Sequence, residues 1–168
     1  MRADRVVRYG PLGGAMSGSG SIRRARREDL AALVAIENVS FPGDRLDRHR
    51  FRYLLAHAHG VILVDTAPDG SLRGYVLLLF RSNSPIARVY SIATHPQHLG
   101  QGVAARLLQA AEQLALDHGY SRQRLEIRVD NTPSRTLFGR HGYREFGRHA
   151  AYYHDGMDAV RLEKTLAR

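Results

Sequence analysis

The stretch SIATHPQHLGQGVAARLLQAAEQLALDHG, Ser91 to Gly119, joins an apolar strand to a long helix through a turn that carries Gly100 and Gly102. Glycine lets a backbone turn tightly, and a helix beginning near Gly102 or Val103 presents unpaired N–H groups at the positive end of its dipole. Several phosphate oxygens can be held there without any lysine. An ordinary loop-to-helix turn with packing glycines has the same pattern, and Gly100, Gly102 and Ala105 also fit the loose dinucleotide fingerprint.

Working outward, Val103 to His118 reads as the helix, with Leu107, Leu108, Ala111, Leu114 and Ala115 available to cover a sheet. Arg88 to Thr94 is the strand before the turn. Arg124 to Val129 returns as a strand, giving a strand-helix-strand unit with the right-handed crossover. Along that strand Leu125, Ile127 and Val129 alternate with Glu126, Arg128 and Asp130, so the two sets face opposite ways. Thr132 is a credible helix cap with Pro133 at the first helical position, and that short helix should stop near Gly142. Strands near Tyr143 to Phe146 and Ala159 to Leu166 complete the C-terminal half.

Upstream, Val61 to Val64 and Leu72 to Phe80 read as antiparallel strands joined through Pro68-Asp69-Gly70. Asp29 to Val39 and Arg48 to His57 read as helices, broken at Phe41-Pro42-Gly43, a loop that could line a substrate groove or merely connect. The order predicts an α/β fold with a mixed, twisted central sheet and helices on both faces. Residues 1–20 end in GPLGGAMSGSG and read as a flexible arm, with residues 21–168 as one domain.

Composition narrows the function classes. The chain has no cysteine, which rules out a disulfide scaffold, a thiolate nucleophile and a Cys-based zinc site. The nine histidines are dispersed and no His-Glu-x-x-His segment is present, so no metal is expected. No apolar run suggests a membrane span, and a cytoplasmic protein is the expectation. The formal charge of +9 comes almost wholly from arginine, Lys164 being the only lysine. It could attract nucleic acid, an acidic peptide or CoA phosphates. The densest run, Arg23, Arg24, Arg26 and Arg27, lacks interleaved aromatics and reads as a solvated face rather than a dedicated nucleic-acid site.

The runs SIATHPQHLGQGVAARLL and LEIRVDNTPSRTLFGRHGY resemble the acetyl-CoA-binding half of the GCN5-related N-acetyltransferase (GNAT) superfamily. The segments YYHDGMDAVRLEKTL and IENVSFPG resemble its ribosomal-protein N-terminal-alanine acetyltransferase branch. The resemblance implies a GNAT-like acyl-CoA N-acyltransferase fold and acetyl-CoA as co-substrate. By it, Leu99, Gly100, Gln101, Gly102, Val103 and Ala104 cradle the CoA pyrophosphate. Leu99 stands where the family has Gln or Arg, and Ala104 where it often has Gly, but the binding is done by backbone N–H groups. Ile92, Ala93 and Thr94 lie on the strand beside the acetyl-pantetheine arm, and Asn131 matches a residue that contacts that arm, although it could equally cap a turn.

Glu126 matches the acidic residue given the general-base role, a role with physical content because an amine must lose a proton before its lone pair can attack a thioester. A salt-bridged Glu on an alternating strand is the plainer reading. Phe138 stands where such enzymes carry a tyrosine that protonates the departing thiolate; it has no proton to give. Tyr152, Tyr153 or water could supply one, with Tyr153 the candidate catalytic contact and Tyr152 joining Phe41, Pro42 and Gly43 on the acceptor side. Tyr143 is expected in the core.

The expected activity is acetyl transfer to a primary amine, an N-terminal α-amine of a protein or peptide first among acceptors. A small-molecule amine acetyltransferase, a CoA-binding regulatory module without turnover and a dinucleotide-binding redox domain are the alternatives. A homodimer is compatible with the sequence.

Overall fold

The structure is a computed structural model that describes residues 6–7, 20–41, 43, 45–57 and 59–167. In chain order the elements are β1 (Val6–Val7), β2 (Ser21–Arg24), α1 (Leu30–Ser40), α2 (Arg48–Ala56), β3 (Gly60–Thr66), β4 (Leu72–Phe80), β5 (Ile86–Thr94), α3 (Val103–Asp117), β6 (Arg122–Arg128), α4 (Thr132–Arg140), β7 (Arg144–His149) and β8 (Ala159–Thr165). The sheet runs β2-β3-β4-β5-β6-β8-β7, with β1 off this path against β5. It is mixed: β5 and β6 are parallel, and the other pairs along the path are antiparallel. Among the described residues no helix is long and apolar enough to cross a membrane.

The helical period of α3 puts Val103, Ala104, Leu107, Leu108, Ala111 and Ala115 on one buried face. That face meets Val61, Leu63, Val76, Leu78, Val89 and Ile92 of the sheet, and the same core continues through Leu137 and Phe138 of α4 onto Leu125, Ile127, Val160 and Leu162. The opposite face of β3, β4 and β5 is covered by Leu30, Leu33 and Ile36 of α1 and Phe51 of α2, which pack on Ile62, Val64, Tyr75, Leu77 and Ala93. Both faces of the sheet centre are therefore buried, which is why β3 and β4 read as near-continuous apolar runs. A Cβ on Gly74 would lie 2.7 Å from the Ala93 carbonyl oxygen and 2.8 Å from Val103, so only glycine lets the start of α3 come this close to the sheet.

Several sequence expectations shift. A strand at Ser21–Arg24, not foreseen, pairs with β3. Thr132 is not the helix cap but the first residue of α4; the Asn131 side chain caps instead, accepting from the Ser134 amide at 3.2 Å. With Pro133 lacking an N–H, the first-turn amide to be capped is that of Ser134, and Asn131 is the residue placed to reach it. The strand expected at Tyr143 to Phe146 begins at Arg144 and runs to His149, with a register break between Glu145 and Gly147. Tyr143 itself is buried, donating to Glu112 and accepting from Gln123. Its hydroxyl is pushed far above the ordinary tyrosine range, first by burial and then by Glu112. The arm expected over residues 1–20 falls mostly outside the described residues.

Candidate active site

The sheet opens at one place. β5 and β6 pair only at Ile86–Arg122, Ala87–Gln123 and Arg88–Arg124. Beyond that point β5 stays bonded to β4 as far as Thr94, while β6 follows β8 through Arg128. The two strands therefore diverge as a V with its vertex at Arg88 and Arg124. Just past the vertex β5 carries a bulge: Leu77 faces Ser91 and Leu78 faces Val89, leaving Tyr90 as the extra residue. Bulges re-aim side chains and leave backbone groups off the ladder. Tyr90 and Ser91 both turn to the α1–α2 side, where the Ser91 hydroxyl lies 2.8 Å from the Tyr75 hydroxyl.

The wide end of the V meets the start of α3. Gly100 and Gly102 have φ of 77° and 75°, a region that L side chains rarely adopt, and among the described residues no side chain caps the helix. A 15-residue helix thus presents its first amides beside the edge of β5. The Thr94 hydroxyl, at the same end, is buried without a hydrogen-bond partner among the described residues. An uncapped helix start, an unsatisfied hydroxyl and a strand edge that β6 has left, paired here with the two-residue β1, lie in line and fit a diphosphate followed by an amide-bearing arm. Ile92, Ala93, Thr94, Leu99, Gly100, Gln101, Gly102, Val103 and Ala104 all lie on this line. Asn131 sits across the V, at the end of β6.

The turn is braced from below by residues that sequence reasoning missed. Arg106 donates from Nη1 to the Gln101 carbonyl at 2.9 Å and from Nε to Asp65 at 3.0 Å. Asp65 is fully buried on β3 and also accepts from Arg73 at 2.6 Å. Two opposite charges flanking the β3–β4 turn inside apolar runs were the available signal. A second missed group, Glu37 of α1, is buried, bonded to the Tyr75 hydroxyl, and accepts from the Leu46 amide at 2.7 Å. It ties the α1–α2 connection to the strand beneath.

At the vertex Glu126 leaves the core face of β6, as the alternation predicts, with its side chain 13% exposed. Arg88 donates to its Oε2 at 2.6 Å, and Arg161, its cross-strand neighbour on β8, lies 3.8 Å from Oε1. These residues, with Arg81, His149 and Tyr152, line an open pocket of about 600 Å³. Tyr152 is held by an edge-on contact with Tyr153 at 5.0 Å, and Tyr153 is itself buried under the Arg128 guanidinium. Phe138 is buried in the core against Tyr143. Phe41 is buried beneath the α1–α2 connection, Gly43 is exposed, and Pro42 lies outside the described residues. Among the described residues no three His, Asp or Glu side chains are placed to hold a metal ion.

A V between parallel strands, ending at a glycine-rich helix start, has a counterpart among known proteins. The profile of the Acetyltransferase (GNAT) family matches residues 30–143. The chain belongs to the GNAT family. As a GNAT protein it is an N-acetyltransferase, which sets aside the redox alternative. It is 29% identical over 152 residues to a Bacillus subtilis protein assigned as a [ribosomal protein bS18]-alanine N-acetyltransferase, covering 90% of this chain and 99% of that one. It is 30% identical over 153 residues to the catalytic subunit of the N-terminal acetyltransferase A complex of Arabidopsis thaliana, covering 86% of this chain and 77% of the relative. The fold is shared with the Escherichia coli ribosomal-protein-S18-alanine N-acetyltransferase, with a TM-score of 0.79 at 20% identity over 89% of this chain and 96% of the other.

Proposed function

We propose that this GNAT enzyme transfers the acetyl group of acetyl-CoA to the free N-terminal α-amine of a protein or peptide. The observation that carries the reading is the V between β5 and β6, which runs from the uncapped start of α3 to the pocket holding Glu126. The amides of Gly102, Val103 and Ala104 hold the diphosphate, with Leu99, Gly100 and Gln101 forming the bend around it. Ile92, Ala93 and Thr94 present backbone groups to the pantetheine arm, and Asn131 approaches it from the other strand.

The co-substrate supplies an acyl group on sulfur, and a thiol of reference pKa about 8.5 leaves as a tolerable thiolate. The chain's residues orient the partners and move the protons. The β5 edge fixes the thioester so that the two reactants meet in one oriented encounter. Glu126 takes the ammonium proton, the amine nitrogen bonds to the carbonyl carbon, and the C–S bond breaks with its electron pair on sulfur while the nitrogen gives up its second proton to solvent, leaving the neutral amide. Phe138 donates nothing, so the proton that reaches sulfur comes from solvent or from Tyr152 at the pocket wall.

An α-amine has a reference pKa about 2.5 units below that of lysine, so it gives up its proton at a cost lower by about 3.4 kcal/mol. A pocket whose one carboxylate among the described residues is Glu126 suits the easier amine. The two named relatives, one assigned to a ribosomal-protein alanine and one to protein N-termini, support the same acceptor.

The test is an acetylation assay offering peptides with a free α-amine, Nα-blocked lysine peptides and small amines. Turnover of the α-amine peptides is expected; turnover of lysine or small amines alone overturns the reading. Glu126→Gln is expected to lower kcat about 100-fold with the acetyl-CoA KM little changed. Equal rates for variant and parent across pH would remove Glu126 from the proton transfer.

A further inference from the structure

The pocket at the vertex holds more positive charge than its one carboxylate balances. Arg81, Arg88 and Arg161 line it together with Glu126, and among the described residues no second acidic side chain joins them. Neighbouring arginines are otherwise provided for: Arg122 and Arg124 pair with Glu163, and Arg128 with Asp130 and Asp155. The Nε atoms of Arg88 and Arg161 are buried without a hydrogen-bond partner among the described residues. Arg161 stands 3.8 Å from Glu126, too far for a hydrogen bond, with its guanidinium over the Phe146 ring at 4.8 Å. Arg88 Nη2 also lies 3.5 Å from the Tyr152 hydroxyl, a long contact, so the wall is rich in donors and short of acceptors. A guanidinium fork matches a carboxylate with two parallel N–H···O bonds, which a single shared Glu126 does not supply to both arginines.

We propose that this pocket takes an acceptor with a carboxylate close to its amine, held by Arg88 and Arg161, as on a peptide with Asp or Glu at its first or second residue. The inference rests on the acetyl-transfer reading above. The incoming carboxylate takes the place of Glu126 at Arg88, and Glu126, released from that bond, has its lone pairs free for the ammonium proton. An acidic acceptor then both docks and frees the base. A neutral acceptor leaves Glu126 bonded to Arg88, and a basic one meets three guanidinium groups. A free amino acid offers the same carboxylate chemistry through its own α-carboxylate, and the experiment separates the two sources.

The full-length enzyme is assayed with acetyl-CoA and three peptides alike except at the second residue, Ala-Asp, Ala-Asn and Ala-Lys, beside free alanine and alaninamide. The Ala-Asp peptide is expected to exceed the isosteric Ala-Asn peptide about tenfold in kcat/KM, with Ala-Lys lowest. Arg161→Gln is expected to bring the Asp-to-Asn ratio close to one while the acetyl-CoA KM holds. Equal kcat/KM for Ala-Asp and Ala-Asn overturns the inference, yet turnover of either peptide leaves the N-terminal acetyltransferase reading standing. If no peptide is acetylated but alanine outpaces alaninamide, the carboxylate inference holds for a small amino acid and the peptide reading fails. If nothing is acetylated, calorimetric binding of the same pairs to the CoA-loaded protein decides: equal affinities overturn the inference, and tighter binding of the acidic member supports it.

Discussion

At the scale of single residues, Asp65 carries the most structural consequence. Its side chain is 0% exposed, that of Arg73 is 4% exposed, and Arg106 connects the pair to the Gln101 carbonyl in the phosphate turn. Removing one member of a buried pair leaves the other charge uncompensated, at a cost of about 3–5 kcal/mol. Asp65→Ala is therefore expected to lose that much stability in urea unfolding and to weaken acetyl-CoA binding, because Arg106 loses its anchor. A loss below about 1 kcal/mol would show that water reaches Arg73. Glu126 could be placed from its alternation with Leu125 and Ile127, because a strand's period is local information. Its partners Arg88 and Arg161 could not: they come from strands 38 and 35 residues away in a chain whose basic residues are almost all arginine. The Asn131 cap was misread by one residue because Asn and Thr both cap well, and only the geometry at Pro133 separates them.

At the scale of elements, the start of α1 holds a charge arrangement that makes a pH-dependent contribution. Asp29 accepts from Arg23 of β2 at 2.7 and 2.9 Å and from the Arg26 amide at 2.6 Å. The Arg23 hydrogen bond, outweighing burial, holds the Asp29 carboxyl below the usual aspartate range. The folded state thus favours the ionised form more than the unfolded chain does. Its contribution is complete above about pH 4, near the unfolded value, and is lost as pH falls through the lower folded one. Wild type and Asp29→Asn should differ in urea midpoint at pH 7, and the gap should narrow as pH falls below about 4; an unchanged gap would contradict the assignment. The helices and most strands were legible from apolar period, with ends shifted by one to three residues. β4 matched at both ends, helped by the Pro68-Asp69-Gly70 turn before it. β2 was missed because Ser21–Arg24 holds one aliphatic residue among two arginines and a serine, and it forms a strand only because β3 offers it a free edge. The V was also invisible, since where two parallel strands part company depends on β8 drawing β6 away.

For the whole molecule, the question is what occupies the V. The edge of β5 beyond the vertex faces away from β4, and there β1 pairs in parallel, Val6 with Ile92 and Val7 with Ala93. A pantetheine arm on that edge must use the same backbone groups, so β1 and the co-substrate compete. A two-residue strand makes few hydrogen bonds, each of about 1 kcal/mol net, so two of them set the competition at about 2 kcal/mol, roughly thirtyfold in affinity at most. Deleting residues 1–19 is expected to lower the acetyl-CoA dissociation constant within that limit; a weaker complex would mean that the segment assists binding instead.

The measurement that bears most directly on the account is the crystal structure of the enzyme with CoA bound. The diphosphate is expected within hydrogen-bond reach of the Gly102, Val103 and Ala104 amides, the arm paired with Ile92 to Thr94 in place of Val6 and Val7, and the sulfur at the vertex beside Glu126. A coenzyme seated away from the start of α3, with β1 still paired to β5, would contradict it.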